Sequence, residues 1–151
     1  MIDIVLFEPE IPQNTGNLIR LAANTGYQLC LIEPLAFHMD EKRLRRAGLD
    51  YREFAEVYTF ASWDTYRSER KPRRIWAFSS KVTRRYTEAR FARGDALLFG
   101  PESRGLPAWV LDSVPSQQHL TLPMRTGGRS LNLANAAAIA TYESWRQLNF
   151  D

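Results

Sequence analysis

Near the C-terminus the chain reads Leu122-Pro123-Met124-Arg125-Thr126-Gly127-Gly128-Arg129-Ser130-Leu131-Asn132-Leu133-Ala134-Asn135. An apolar stretch ends at Leu122, passes through a loop holding Gly127 and Gly128, and restarts as an alanine-rich segment of helical composition. A strand that ends in a glycine loop and resumes as a helix presents backbone N–H groups to a ligand. The same strand-to-loop form occurs at Ala96-Leu97-Leu98-Phe99-Gly100-Pro101-Glu102-Ser103-Arg104-Gly105-Leu106-Pro107 and at Glu8-Pro9-Glu10-Ile11-Pro12-Gln13-Asn14-Thr15-Gly16-Asn17-Leu18-Ile19-Arg20. Three such units in 151 residues imply one composite site.

Around these units, short apolar runs alternate with helix-like segments. Residues 2–7, 29–32, 57–60, 75–78, 96–99 and 119–122 read as strands, and 17–24, 41–47, 62–70, 107–114 and 133–148 as helices. Boundary residues support several of them: Gly26 after the first helix, Asp40 and Gly48 around the second, Ser62 before the third and Pro107 at the start of the fourth. Such alternation implies an α/β fold, a mostly parallel sheet flanked by helices on both faces. Pattern alone points to a Rossmann-like or flavodoxin-like arrangement, because chains are rarely knotted. With no repeat or linker apparent, residues 1–151 read as a single domain, large enough to bury roughly two-thirds of its unfolded surface.

Twenty Lys and Arg against 17 Asp and Glu leave a formal charge of +3, and only Lys42, Lys71 and Lys81 of the basic residues are lysine. An arginine-dominated surface suits bidentate recognition of phosphate. It equally fits a solvated surface shaped by codon usage. Cys30, the single cysteine, lies in the apolar run Leu29-Cys30-Leu31-Ile32 and reads as core, so no disulfide framework exists within the chain. No run of about 18 apolar residues occurs, and the N-terminus lacks the basic-then-apolar form of a signal peptide. The expectation is a soluble cytoplasmic protein.

Familiar site chemistries fit poorly. Gly100 and Gly105 have P-loop spacing, but Leu106-Pro107 stands where Lys-Ser/Thr is needed, and no GxGxxG is present. His38 and His119 lack metal-ligand spacing, and the residue order matches no nucleophile elbow.

The three blocks, in their order, resemble the signature motifs of the SpoU-type, or SPOUT, RNA 2′-O-ribose methyltransferases. The resemblance covers essentially the whole chain. It is closest to the small members without an appended RNA-binding domain, through Asn14-x-Gly16-Asn17-x-x-Arg20 and Lys42-Arg43-Leu44-Arg45-Arg46-Ala47-Gly48-Leu49-Asp50-Tyr51. The resemblance implies a SPOUT fold with a deep trefoil knot at the C-terminal end, replacing the unknotted default. It implies S-adenosyl-L-methionine (AdoMet) as cofactor, touching Phe78, Gly100, Leu122, Ser130 and Leu131, and no metal. It places Arg20, Asn14, Asn17, Glu102, Ser130 and Asn132 in the catalytic group. The implied substrate is the wobble nucleotide, position 34, a cytidine or modified uridine in the anticodon loop of leucine tRNAs. The implied assembly is a homodimer through the knotted region, with Tyr142 at the interface.

Individual residues admit plainer readings beside these. Arg20 could be a surface arginine; in the reaction it suits holding phosphate and stabilising alkoxide charge, because guanidinium is always protonated and cannot act as a base. Glu102 either pairs with Arg104 or orients Arg20 or Asn14. Ser130 and Asn132 are ordinary helix N-caps that can also meet a ligand. Gly100 is either a turn glycine or an opening for close ligand approach. Arg129, Arg43, Arg45, Arg46 and Lys81 are candidate RNA contacts, extended by Tyr51, Arg84 and Arg85, although a charge run is also a solvated helix face. Two other classes fit less well: a non-catalytic RNA-binding domain of the same fold, and a flavodoxin-like small-molecule binder.

Overall fold

The computed structural model describes residues 1–39, 42, 46 and 56–151. In chain order the elements are β1 (Asp3–Phe7), α1 (Pro12–Thr25), β2 (Gln28–Ile32), β3 (Val57–Phe60), α2 (Trp63–Arg70), β4 (Ile75–Phe78), β5 (Ala96–Phe99), α3 (Ala108–Asp112), β6 (His119–Leu120) and α4 (Leu133–Gln147). Six strands form one sheet in the order β3-β2-β1-β5-β4-β6, and every ladder is parallel. Val5 sits between Cys30 and Leu98 in the register of the three central strands.

Strand side chains alternate between faces, and each face has its own helices. Ile4 and Leu6 of β1, Leu29 and Leu31 of β2, and Leu97 and Phe99 of β5 pack with Leu18 and Ile19 of α1 and Ala137 and Ala140 of α4. Val5, Phe7, Cys30, Ile32 and Leu98 point the other way, onto Trp63 and Tyr66 of α2 and Val110 of α3. Beyond Asp3 and Gln28 at their N-terminal ends, the central strands β1, β2 and β5 are therefore apolar at every position, as a sheet covered on both sides requires. The strand order reverses at the β1–β5 pair, where the first half of the chain meets the second. In parallel sheets the crevice beyond the strand C-termini at such a reversal is where ligands bind.

Several boundaries match the sequence. Gly26 ends α1 in the left-handed region (φ 76°), its N–H bonding the Ala22 carbonyl, and Ser62 Oγ caps α2 by accepting from the Thr65 N–H at 3.0 Å. Most others differ by one or two residues, and two differences bear on the site. The last strand closes at Leu120, with a lone bridge between Arg85 and Thr121 beyond it, so Leu122 lies in the loop. Helix α1 begins at Pro12 rather than residue 17, and Asn14 and Gly16 are helical rather than in a loop. The N-cap is Ile11, whose side chain accepts nothing, so the local mark of that start is Pro12 at the first helical position. The helix expected at 41–47 lies outside the described residues except for Lys42 and Arg46, which are helical and exposed.

Candidate active site

A cavity of about 320 Å³ opens beyond the C-terminal ends of β4, β5 and β6. Phe78 and Phe99, the last residues of β4 and β5, stack with centroids 4.7 Å apart and planes 16° from parallel, and both line the cavity. The loop from Gly100 to Leu106 forms one wall, Ser79 to Lys81 a second, and Leu122, Met124, Ser130 and Leu131 a third. All five residues expected at the cofactor are thus on its lining, together with Lys81 and Glu102. A flat aromatic floor, hydroxyls and loop backbone groups suit a neutral heteroaromatic ligand with a polar tail.

Gly100 has a structural reason of its own. A Cβ there would lie 2.2 Å from the Leu106 N and 2.3 Å from the Gly105 carbonyl carbon, so side-chain bulk would strike the loop's own backbone before reaching a ligand. The glycine lets the loop after β5 fold back on itself and form the wall.

Glu102 joins this wall to the loop after β1. Its carboxylate accepts from the Glu10 N–H at 2.9 Å, the Ile11 N–H at 2.5 Å and the Asn14 Nδ2 at 3.3 Å. It therefore holds the two residues that lead into α1, including the N–H of Ile11, from 91 residues away in sequence. A carboxylate at a helix N-terminus also meets the positive end of the helix dipole. Arg104, the plainer partner for Glu102, instead reaches Glu8 at 3.3 Å.

Of the remaining residues singled out in the sequence, Asn14 is buried beside Glu102, while Asn17 and Arg20 follow it on α1 and are exposed. Asn132 caps α4, its Oδ1 accepting from the Ala134 N–H at 2.9 Å and the Asn135 N–H at 3.3 Å. Arg129 is exposed in the loop before α4. Arg84 is committed locally: it donates to the Gln117 carbonyl and lies over the Trp76 ring, 5.9 Å from its centroid. Arg46 is exposed, and Arg43, Arg45 and Tyr51 lie outside the described residues. Sequence reasoning missed Ser79, Ser80 and Met124 in the lining, and Glu8 and Glu10 beside it. The signal for Ser79 and Ser80 was their place directly after an apolar strand. Among the described residues, no group of three or more His, Cys, Asp or Glu is placed to hold a metal. No described helix is long and apolar enough to cross a membrane.

Fold and site together define a parallel α/β protein in which an open cavity and a helix tied to its wall by Glu102 meet at the sheet's C-terminal edge. The model of the SpoU rRNA methylase family matches residues 1–142, and the chain belongs to that family. It is 55% identical over 150 residues to the tRNA (cytidine(34)-2′-O)-methyltransferase of Aeromonas hydrophila, covering 99% of this chain and 96% of that protein. Identity to the protein of the same name from Escherichia coli K12 is 49%, with the same coverage. A structure solved for insights into the 2-OH methylation of C/U34 on tRNA superposes with a TM-score of 0.88 at 45% identity, covering 99% of this chain and 97% of that one. The AdoMet-bound rRNA methyltransferase of Sinorhizobium meliloti shares the fold, with a TM-score of 0.81 at 22% identity over 97% of this chain and 56% of its own.

Proposed function

We propose that this chain, acting as one domain, methylates the ribose 2′-oxygen of the wobble nucleotide, a cytidine or modified uridine at position 34, in the anticodon loop of leucine tRNAs, with AdoMet as methyl donor. The reading is supported by near full-length identity of about half to relatives named for this activity. It rests above all on one juxtaposition: Glu102 lies on the cavity lining and also holds the start of α1, the helix that carries Asn14, Asn17 and Arg20. A cofactor site and a polar helix face are thereby joined.

The cavity fits AdoMet by its chemistry. The Phe78–Phe99 stack and Leu122 offer an apolar bed for adenine, and Ser130, Leu131 and the Gly100 loop border it with hydroxyl and backbone groups. When bound, AdoMet supplies an electrophilic methyl group on a sulfonium that needs no further activation. The protein must then orient the ribose oxygen and accommodate charge as its proton leaves. In this reading Arg20 of α1 holds the phosphate beside the target ribose and stabilises the developing alkoxide, while that phosphate or solvent takes the proton. Glu102 acts on this step indirectly, by fixing the first turn of α1 and the amide of Asn14. Arg129, Lys81 and the basic residues around Arg46, including Arg43 and Arg45, would contact RNA phosphates. An anticodon loop suits such a site, because its splayed nucleotides expose the 2′-OH more than an A-form stem does.

The proposal includes a cytoplasmic homodimer paired through a knotted C-terminal region. Helix α4 leaves Ile139 40% and Tyr142 46% exposed, and Tyr142 meets Trp145 edge-on at 5.6 Å. A second copy would cover this apolar stripe and add basic surface for the tRNA. Tyr142→Asp is expected to give monomers with little tRNA methylation, read by light scattering beside an activity assay; a wild-type monomer with full activity at micromolar concentration removes the dimer from the reading.

The deciding experiment incubates the protein with labelled AdoMet and total tRNA and maps the labelled nucleotide. Label at the position-34 ribose of leucine tRNAs is expected, lost when that ribose is 2′-deoxy. No label, or label at another nucleotide, overturns the assignment.

A further inference from the structure

The contacts between the loop after β1 and the loop after β5 run in both directions. Glu102 accepts from the backbone N–H groups of Glu10 and Ile11. In return, Glu10 Oε1 accepts from the Ser103 N–H and from the Ser103 hydroxyl, each at 2.8 Å, and Oε2 accepts from the same hydroxyl at 3.0 Å. Glu8 extends the series by pairing with Arg104. Glu102, Ser103 and Arg104 all line the cavity. Consecutive residues of its wall are thus gripped by carboxylates or backbone groups from the segment that leads into α1.

We propose that Glu10 is a positioning residue of the methyl-transfer site: its carboxylate on Ser103, crossed with that of Glu102 on the Glu10 backbone, clamps the RNA-side helix in register with the cofactor cavity. This rests on the function proposed above. Two carboxylates are needed because each loop has donors and neither has a local acceptor: α1 starts at a residue without a capping side chain, and the Ser103 N–H points out of its own loop to Glu10. One carboxylate alone would leave the loops free to pivot about a single point, whereas the crossed pair fixes both separation and orientation. Orientation is what in-line transfer requires, and a misplacement of about 1 Å can cost about a hundredfold in rate. Hydrogen bonds from the Ser103 backbone, then from its hydroxyl, hold the Glu10 carboxyl below its ordinary value. The carboxylate is therefore ionised through the neutral range, and the part of the contact that depends on its charge is lost as pH falls through that lowered value, while a neutral acceptor at this position keeps the hydrogen bonds.

The test uses Glu10→Ala and Glu10→Gln in the full chain. The glutamine oxygen has two lone pairs and can accept from both Ser103 donors, so it should restore what alanine removes. With AdoMet and tRNA saturating, Glu10→Ala is expected to lower kcat about tenfold or more while AdoMet affinity by calorimetry stays within about threefold, and Glu10→Gln to return kcat to within about threefold of wild type. Near-normal kcat in the alanine variant, a loss of AdoMet affinity as large as the loss of kcat, or no recovery with glutamine each overturns the clamp. Amide hydrogen exchange supplies a readout independent of turnover. In Glu10→Ala, faster exchange is expected at Ser103 and also at residues 10 and 11, whose N–H groups bond Glu102. Acceleration confined to Ser103 overturns the crossed arrangement. Should the alanine variant fail to fold, Ser103→Ala, which removes only the hydroxyl contacts, is expected to show the same exchange pattern and a smaller loss of kcat, and unchanged exchange at 10 and 11 overturns the proposal. A wild-type protein that transfers no methyl to tRNA refutes the assigned function instead, and the exchange data still decide the clamp.

Discussion

At the N-terminal ends of the two central strands, Asp3 and Asp95 are buried and surrounded by side chains that answer them. At the C-terminal ends of the same strands, Glu102 reaches instead for the backbone of another loop. Asp3 accepts from Tyr66 Oη at 3.0 Å and from Arg70 at 3.1 and 2.6 Å. Asp95 accepts from Arg74 at 3.2 and 3.0 Å, from Trp76 Nε1 at 2.9 Å and from the Ala92 N–H at 2.9 Å. These carboxylates are saturated and offer a ligand nothing. Glu102 satisfies a helix end and one amide while remaining on the lining of an open cavity. The contrast separates carboxylates that hold the sheet together from one that holds two site loops together, although all three lie in an arginine-rich chain.

The largest effect expected at the functional edge is that of Arg20→Ala. Methyl transfer should fall by about a hundredfold to a thousandfold, the range for losing one group that stabilises a developing oxyanion, with AdoMet affinity nearly unchanged because Arg20 is off the cavity lining. Turnover assays beside calorimetry separate the two; a large loss of AdoMet binding would move Arg20 into the cofactor site. At the opposite edge, Asp95→Ala leaves the Trp76 and Ala92 N–H groups and the Arg74 guanidinium without their acceptor. A loss of about 3 kcal/mol in unfolding free energy is expected, read from denaturant midpoints. AdoMet affinity per folded molecule should not change. If that affinity collapsed while stability held, the division between the two edges would be wrong.

Gly100→Ala sharpens the comparison, since it is expected to move both quantities. The new Cβ would meet the Leu106 N at 2.2 Å, so the wall must shift; overpacking of this kind costs about 1–3 kcal/mol, and AdoMet affinity should weaken with it. A weakened affinity at unchanged thermal midpoint would return this glycine to a purely ligand-facing role. The smallest effect concerns Cys30, beside the Asp3 cluster. Burial, then the nearby Asp3 charge, raises its thiol pKa well above the ordinary value, and burial with Asp3 does the same to Tyr66. Both groups stay protonated in the folded protein through neutral and mildly alkaline pH. The associated stability is complete below their unfolded values and is lost as pH rises through the raised ones. A thiol reagent at pH 8 should therefore leave native Cys30 unmodified and label it on unfolding; fast labelling of the native protein would contradict the packed edge.

Strand positions were legible because the sheet is covered on both faces, so residues 29–32, 75–78 and 96–99 stand out as uninterrupted apolar runs. Caps made by adjacent residues were legible too: Ser62 before α2, Gly26 after α1 and Asn132 before α4 are local chemistry. The start of α1 was marked locally only by Pro12. The carboxylate that holds the segment leading into it comes from Glu102, and no window of sequence holds both partners. Gly100 could be picked out as a glycine that mattered, but only the fold of residues 100–106 revealed that it avoids its own backbone. Motifs and apolar runs therefore determined the family, the α/β class and several residues that share the lining of one cavity, because each depends on composition within a few residues. The tertiary structure alone decided which carboxylate meets which donor. Asp3, Asp95, Glu10 and Glu102 carry the same chemistry in the sequence, and what distinguishes their roles is the distance folding places between segments far apart in the chain.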